Sequence, residues 1–248
     1  MSPPHLVLLV GGSLVLTTPW RSAWAAPGVG AFPGFRAFLP VLLSATATAM
    51  SAAFFLIYLS PFTPNVPAGR AAVLAGQRGI AAILVTTGVL LVPLLLLMRR
   101  WRPPPGTATV LFATVATLSG AVFEFEQGLP VLAGLIGGLV TDVLLWRLRP
   151  WAQRPRAVRV TAAAVPVALW LPYFALVALG YGLDWSLELW SGTVVLATLA
   201  GLALGLLAAP PSVPAVATGE PTVREPTEPT LREPTEPASR PAPVQAGR

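Results

Sequence analysis

The stretch Leu129–Trp146, LPVLAGLIGGLVTDVLLW, decides the fold because it is an apolar run of eighteen residues interrupted by a single acid. A helix needs about 20 predominantly apolar residues to cross the hydrocarbon core of a bilayer. The run therefore predicts a membrane span, with Asp142 as the one ionisable residue well inside it.

Five further apolar runs have the length of a span, and arginine, proline or acidic residues bound each of them: Phe38–Leu59, Gly79–Met98, Thr107–Phe123, Val160–Gly182 and Leu189–Ala209. A seventh run, Leu6–Thr18, has only thirteen residues, which is the length of a re-entrant segment or a signal-peptide core. We predict an all-α, polytopic transmembrane helical bundle of six or seven spans over residues 1–209.

Composition excludes a soluble globular fold. Apolar residues make up 54% of the 248 residues and charged residues 10%, whereas soluble domains carry about 25% charge. The chain has no cysteine and one histidine, His5, which excludes disulfides, cysteine zinc sites and a bis-histidine haem. We therefore predict no catalytic residue, no cofactor and no metal ligand, and we expect no nucleic-acid partner.

The arginines predict the orientation. Of the first twelve arginines, Arg70 and Arg78 follow the run Phe38–Leu59. The other ten follow the runs Leu6–Thr18, Gly79–Met98 and Leu129–Trp146, which alternate along the chain with the remaining runs: Arg21, Arg36, Arg99, Arg100, Arg102, Arg147, Arg149, Arg154, Arg156 and Arg159. The positive-inside rule places the ten in the cytoplasm. This predicts a multi-pass protein of the plasma (inner) membrane with a cytoplasmic C-terminus. Tryptophans at the run ends, among them Trp101, Trp146 and Trp185, are typical of a membrane interface.

The same count bears on Leu6–Thr18. Ala23–Ala25 resembles a signal-peptidase site, but cleavage there would place the five-arginine loop, which runs from Arg147 to Arg159, outside. We therefore expect this run either to span the membrane or to lie in its interface.

Small residues predict where helices touch. Gly134 and Gly138, and likewise Gly201 and Gly205, match the GxxxG pattern, and we predict that either face could also bind a membrane protein partner. Asp142 continues the first stripe at the same four-residue spacing, so its carboxylate is expected to face another helix. Two roles stay open: an ion pair or a bond to a neighbouring helix, or coupling of a proton or cation.

Four carboxylates fall in the two predicted outer loops: Glu124, Glu126, Asp184 and Glu188. If these loops converge, they form an acidic vestibule that attracts cations. The alternative is that short outer loops are acidic simply because arginine is disfavoured there.

Residues 210–248 form a tail rich in proline, glutamate and threonine, with an eight-residue repeat beginning at Arg224 and again at Arg232. Such a composition predicts a disordered cytoplasmic tail. Its proline content allows a proline-binding module as partner, and a solvated low-complexity tail is the alternative.

Function is predicted only by class. An enzyme is not expected, because serine–histidine catalysis would have no base but His5. A small solute or ion permease is favoured by Asp142 and the acidic loops. A non-catalytic membrane subunit, assembly factor or scaffold is the alternative, since it needs only packing faces and a tail.

Overall fold

The computed structural model describes residues 3–26, 33–62 and 76–209, and within these ranges the chain is helical with no strand. Apart from a single 3₁₀ turn at Ile57–Leu59, the described elements are α1 (Pro3–Leu16), α2 (Thr18–Ala25), α3 (Phe35–Phe55), α4 (Gly76–Arg100), α5 (Thr107–Val122), α6 (Gly128–Leu148), α7 (Pro155–Gly180) and α8 (Leu187–Ala208). The all-α prediction is confirmed. The predicted tail, residues 210–248, lies outside the described residues.

Every one of the six long apolar runs is a helix. In the described ranges, five helices are long and apolar enough to cross a bilayer, namely α3, α4, α6, α7 and α8. α5 is shorter, with 16 residues, and so measures about 24 Å. The chain is a multi-pass membrane protein, with its apolar faces toward the lipid bilayer.

The N-terminal run forms two helices, α1 and α2, that meet at a bend of 41°. Pro19 in the first turn of α2 explains the break, because proline lacks the N–H that would continue the helix. The hydroxyls of Thr17 and Thr18 donate to the carbonyl oxygens of Ser13 and Leu14, at 2.6 and 2.9 Å, next to the break. The pair fits either a broken span or a re-entrant loop. Whether it spans the membrane or lies in its interface stays a prediction.

The arginine-rich connections lie at one end of the bundle. The ring of Trp101, after α4, packs edge-on against Trp24 in α2 and Phe38 in α3, with centroids 5.5 and 6.1 Å away. The guanidinium of Arg102 lies 4.0 Å from the ring centre of Trp151, which precedes α7. These contacts join the three regions that carry the ten arginines, which lie in the connections and in the helices beside them. The side of the membrane that these regions face stays a prediction.

Two of the tryptophans at the span ends are buried against neighbouring helices. Trp101 packs among α2, α3 and α4, and Trp185 packs on Gly79 of α4. Trp146 differs from both, because 59% of its surface is exposed, as expected of an interfacial side chain. The depth of all three rings in the membrane stays a prediction.

The core is tied together by two buried hydrogen bonds from α7. Trp170 Nε1 donates to Thr87 Oγ1 in α4 at 2.9 Å, and the Tyr173 hydroxyl donates to the Pro61 carbonyl, also at 2.9 Å. α7 remains one helix through Pro166 and Pro172. These bonds hold the turn after α3, and α4, against α7.

Candidate functional site

The stripe of Gly134 and Gly138 is the face through which α6 meets α5. A Cβ on Gly138 would lie 2.7 Å from Thr109 Cα and 3.1 Å from the Ala108 carbonyl oxygen. A Cβ on Gly134 would collide with the Ala116 side chain. The two helices therefore approach this closely because neither glycine has a side chain.

Asp142, one turn further along α6, caps the N-terminus of α5. Its Oδ1 accepts a hydrogen bond from the Ala108 amide at 3.0 Å, and its Oδ2 accepts one from the Thr109 amide at 2.9 Å. The Thr109 hydroxyl also donates to Oδ2, at 2.5 Å. One carboxylate from a neighbouring helix thus does the work that a serine or aspartate usually does at the N-cap position.

α5 requires this help because its own N-cap residue is Gly106, which has a φ of 91° and no side chain to offer. The other first-turn amides are paired locally: Thr107 N bonds to the Pro104 carbonyl at 3.3 Å, and Val110 N to the Gly106 carbonyl at 2.9 Å. With Asp142, all four initial N–H groups of the helix have acceptors. A negative charge here is also favourable to the helix dipole.

Asp142 lies inside α6 and not at its end. Asp142 precedes the last residue of α6, Leu148, by six positions, or about 9 Å along the helix. Unsatisfied backbone groups are costly at membrane depth, so a short helix that begins there needs an acceptor from outside itself. These three bonds of Asp142 all go to α5, and its role in ion coupling stays a prediction.

A second charged residue, Arg159, caps the C-terminal end of a helix. Arg159 in α7 donates from Nε and from a terminal nitrogen to the carbonyl oxygen of Ala209, which follows α8, at 3.0 and 2.7 Å. Sequence reasoning missed this bond, because fifty residues separate the partners and no pattern connects them. A cation at a helix C-terminus complements the dipole as Asp142 does at an N-terminus.

The Gly201 and Gly205 face brings α8 against α7, and Gly205 lies beside Arg159. A Cβ on Gly201 would lie 2.9 Å from Pro166 Cγ and would collide with the Ala162 carbonyl oxygen. A Cβ on Gly205 would lie 2.6 Å from the Ala162 Cβ. Both GxxxG faces are therefore covered within this chain, which corrects the prediction that they are available to a partner protein.

The two loops of the predicted acidic vestibule lie at the same end of the bundle. Gly180 at the end of α7 packs on Leu129 at the start of α6, so the two acidic loops lie at the same end of the bundle. The four side chains, Glu124, Glu126, Asp184 and Glu188, are all exposed. Across the described ranges, no three acidic or histidine side chains come together as a metal site would require. The loops are neighbours, and the vestibule stays a prediction.

A cavity of about 210 Å³ opens beside Asp142 at the arginine-rich end. Its lining includes Arg102, Trp146 and Arg149, together with prolines from the connections that flank α5 and α6. The sequence indicated Asp142 and the uneven distribution of the arginines. It did not indicate that Arg102 and Arg149 line the same cavity as Asp142.

No protein-family model, curated protein or solved structure matches this chain, so the site is interpreted from its own geometry.

Proposed function

We propose that this protein is a non-catalytic subunit, assembly factor or scaffold of the membrane. The observation that carries the proposal is the Asp142 cap: both carboxylate oxygens are held by the N-terminus of α5. The one intramembrane acid that favoured transport thereby has a sufficient structural role. A helix bundle that holds its shape through internal caps is suited to present a fixed surface to a partner.

Six hydroxyl groups in the spans support the same view, whereas the buried hydroxyls of Thr46, Thr141 and Thr161 have no hydrogen-bond partner among the described residues. The six bond back to the carbonyl four residues earlier in their own helices, at 2.5 to 3.0 Å, and they are Thr48, Thr87, Ser119, Ser191, Thr193 and Thr198. Such bonds satisfy a hydroxyl inside its own helix. These six side chains therefore do not need a solute or ion as partner.

The permease prediction retains one supporting observation, the cavity that reaches Asp142. Two arginines line this cavity, and their positive charge disfavours entry of a proton or metal cation. The cavity therefore fits an anion better than the cation that the coupling hypothesis requires.

Native purification tests the proposal. The tagged full chain, expressed at its native level, would be extracted with its surrounding lipid and weighed intact by native mass spectrometry. We expect an assembly with one further protein in constant ratio, and purification through a tag on that protein should recover the chain in the same ratio. A chain that is isolated alone and drives pH- or cation-dependent uptake in proteoliposomes would contradict the proposal and favour a permease.

A further inference from the structure

The cavity at the arginine-rich end has the features of an anion site. It lies between the connection after α4 and the last turns of α6, and two guanidinium groups, from Arg102 and Arg149, line it. A planar guanidinium donates paired hydrogen bonds that match the oxygens of a phosphate group. Two such groups on one cavity select for a ligand of that chemistry.

A ring contact restrains one of the two arginines, and the other lies at the turn that follows α6. The guanidinium carbon of Arg102 lies 4.0 Å from the centre of the Trp151 ring, a cation–π contact that restrains the side chain. Arg149 follows α6 in the left-handed region, with a φ of 46°, so the chain turns sharply where it lines the cavity. The two arginines therefore reach the cavity from separate parts of the chain, the connection after α4 and the end of α6.

Asp142 also lines the cavity, and its charge is opposed to that of an anion. Its oxygens accept the amide hydrogen bonds of Ala108 and Thr109, so the positive end of the α5 dipole offsets this negative charge. The two arginines then determine the sign of the cavity.

An exposed apolar strip leads away from the cavity along α6. Its members lie three or four residues apart on one helix face and are 38–59% exposed: Leu132, Leu135, Leu139, Val143 and Trp146. Trp146 belongs both to the strip and to the cavity lining. The strip therefore offers a surface for an acyl chain directly beneath a phosphate held in the cavity.

We propose that the cavity binds the phosphate of an anionic phospholipid headgroup, between Arg102 and Arg149, with an acyl chain along the strip on α6. A basic pocket between helices at a membrane interface is a recognised binding mode for such headgroups. The strip favours a lipid over free phosphate, because a soluble ion would gain nothing from it.

The test uses the delipidated full chain in detergent, titrated with dioleoyl phosphatidylglycerol and followed by native mass spectrometry. The double variant Arg102→Gln/Arg149→Gln should bind the first lipid about tenfold more weakly than the native chain. Arg154→Gln/Arg156→Gln is the matched control, since it removes two exposed arginines at the same end that do not line the cavity. This control should bind as the native chain does.

Two further probes separate the sources of phosphate. Dioleoyl phosphatidylcholine, which has no net charge, should bind more weakly than phosphatidylglycerol, and millimolar inorganic phosphate should not compete. Equal binding of phosphatidylglycerol to both double variants would overturn the proposal. Full competition by inorganic phosphate would overturn the lipid assignment. If the double variant does not fold, Arg149→Gln alone keeps the test, because that side chain is exposed.

Discussion

Arg159 in α7 holds the carbonyl oxygen of Ala209 with two hydrogen bonds, at 3.0 and 2.7 Å, and so closes the C-terminal end of α8. The bond is the counterpart of the Asp142 cap on α5: a cation closes one helix at its C-terminus, and an anion closes another at its N-terminus. In both cases the charge comes from the neighbouring helix across a glycine face. The bundle thus uses two of its charges near the membrane to satisfy helix ends.

We expect Arg159→Gln to lower the free energy of unfolding by about 1–2 kcal/mol, because it removes a charge-assisted pair of hydrogen bonds and a favourable dipole interaction. Unfolding by sodium dodecyl sulfate titration in mixed micelles measures this. Arg156→Gln, an exposed position in the first turn of the same helix, is the control and should change stability by less than about 0.5 kcal/mol. Equal stability of the two variants would argue against the cap.

Gly201→Ala should destabilise the protein by about 1–3 kcal/mol, because the new methyl group meets backbone and the Pro166 ring. Gly192→Ala in the same helix is the matched control, since nothing lies within 4 Å of its Cβ position. That variant should be neutral or more stable by about 0.5–1 kcal/mol, the helix preference of alanine over glycine. Equal effects in the same unfolding titration would contradict close packing of α7 and α8.

Tyr173→Phe should cost about 0.5–1.5 kcal/mol, because it leaves the Pro61 carbonyl without its buried donor. Tyr181→Phe, at the exposed end of α7, should leave the melting temperature unchanged. Melting temperatures equal to that of the native protein for both variants would argue against the hydrogen bond between Tyr173 and Pro61.

The orientation prediction is tested by reporter fusions. Fusions after Arg102 and Arg156 should report the cytoplasm, and fusions after Gln127 and Asp184 should report the outside. An exported reporter at the five-arginine connection would reverse the predicted topology.

The helices could be predicted from the sequence because the length of an apolar run and the spacing of its glycines are properties of one continuous segment. The four-residue spacing of Gly134, Gly138 and Asp142 was enough to place the carboxylate toward another helix. The identity of its partner was not predictable, since the need for a cap arises from Gly106, at the start of a different helix. The Arg159 cap and the burial of Trp101 likewise depend on which helix ends meet, and only the fold determines that.

Hydrogen exchange at the start of α5 tests the central claim, that Asp142 is a helix cap, most directly. In Asp142→Ala the amides of Ala108 and Thr109 lose their acceptor, so their exchange should accelerate, and stability should fall by about 2–4 kcal/mol. Asp142→Asn keeps one acceptor oxygen and should lose about 1–2 kcal/mol. Glu126→Gln, which removes an exposed carboxylate, is the control and should change neither quantity. Unchanged exchange and stability in Asp142→Ala, together with loss of pH- or cation-dependent uptake in proteoliposomes, would contradict the cap and return Asp142 to a transport mechanism.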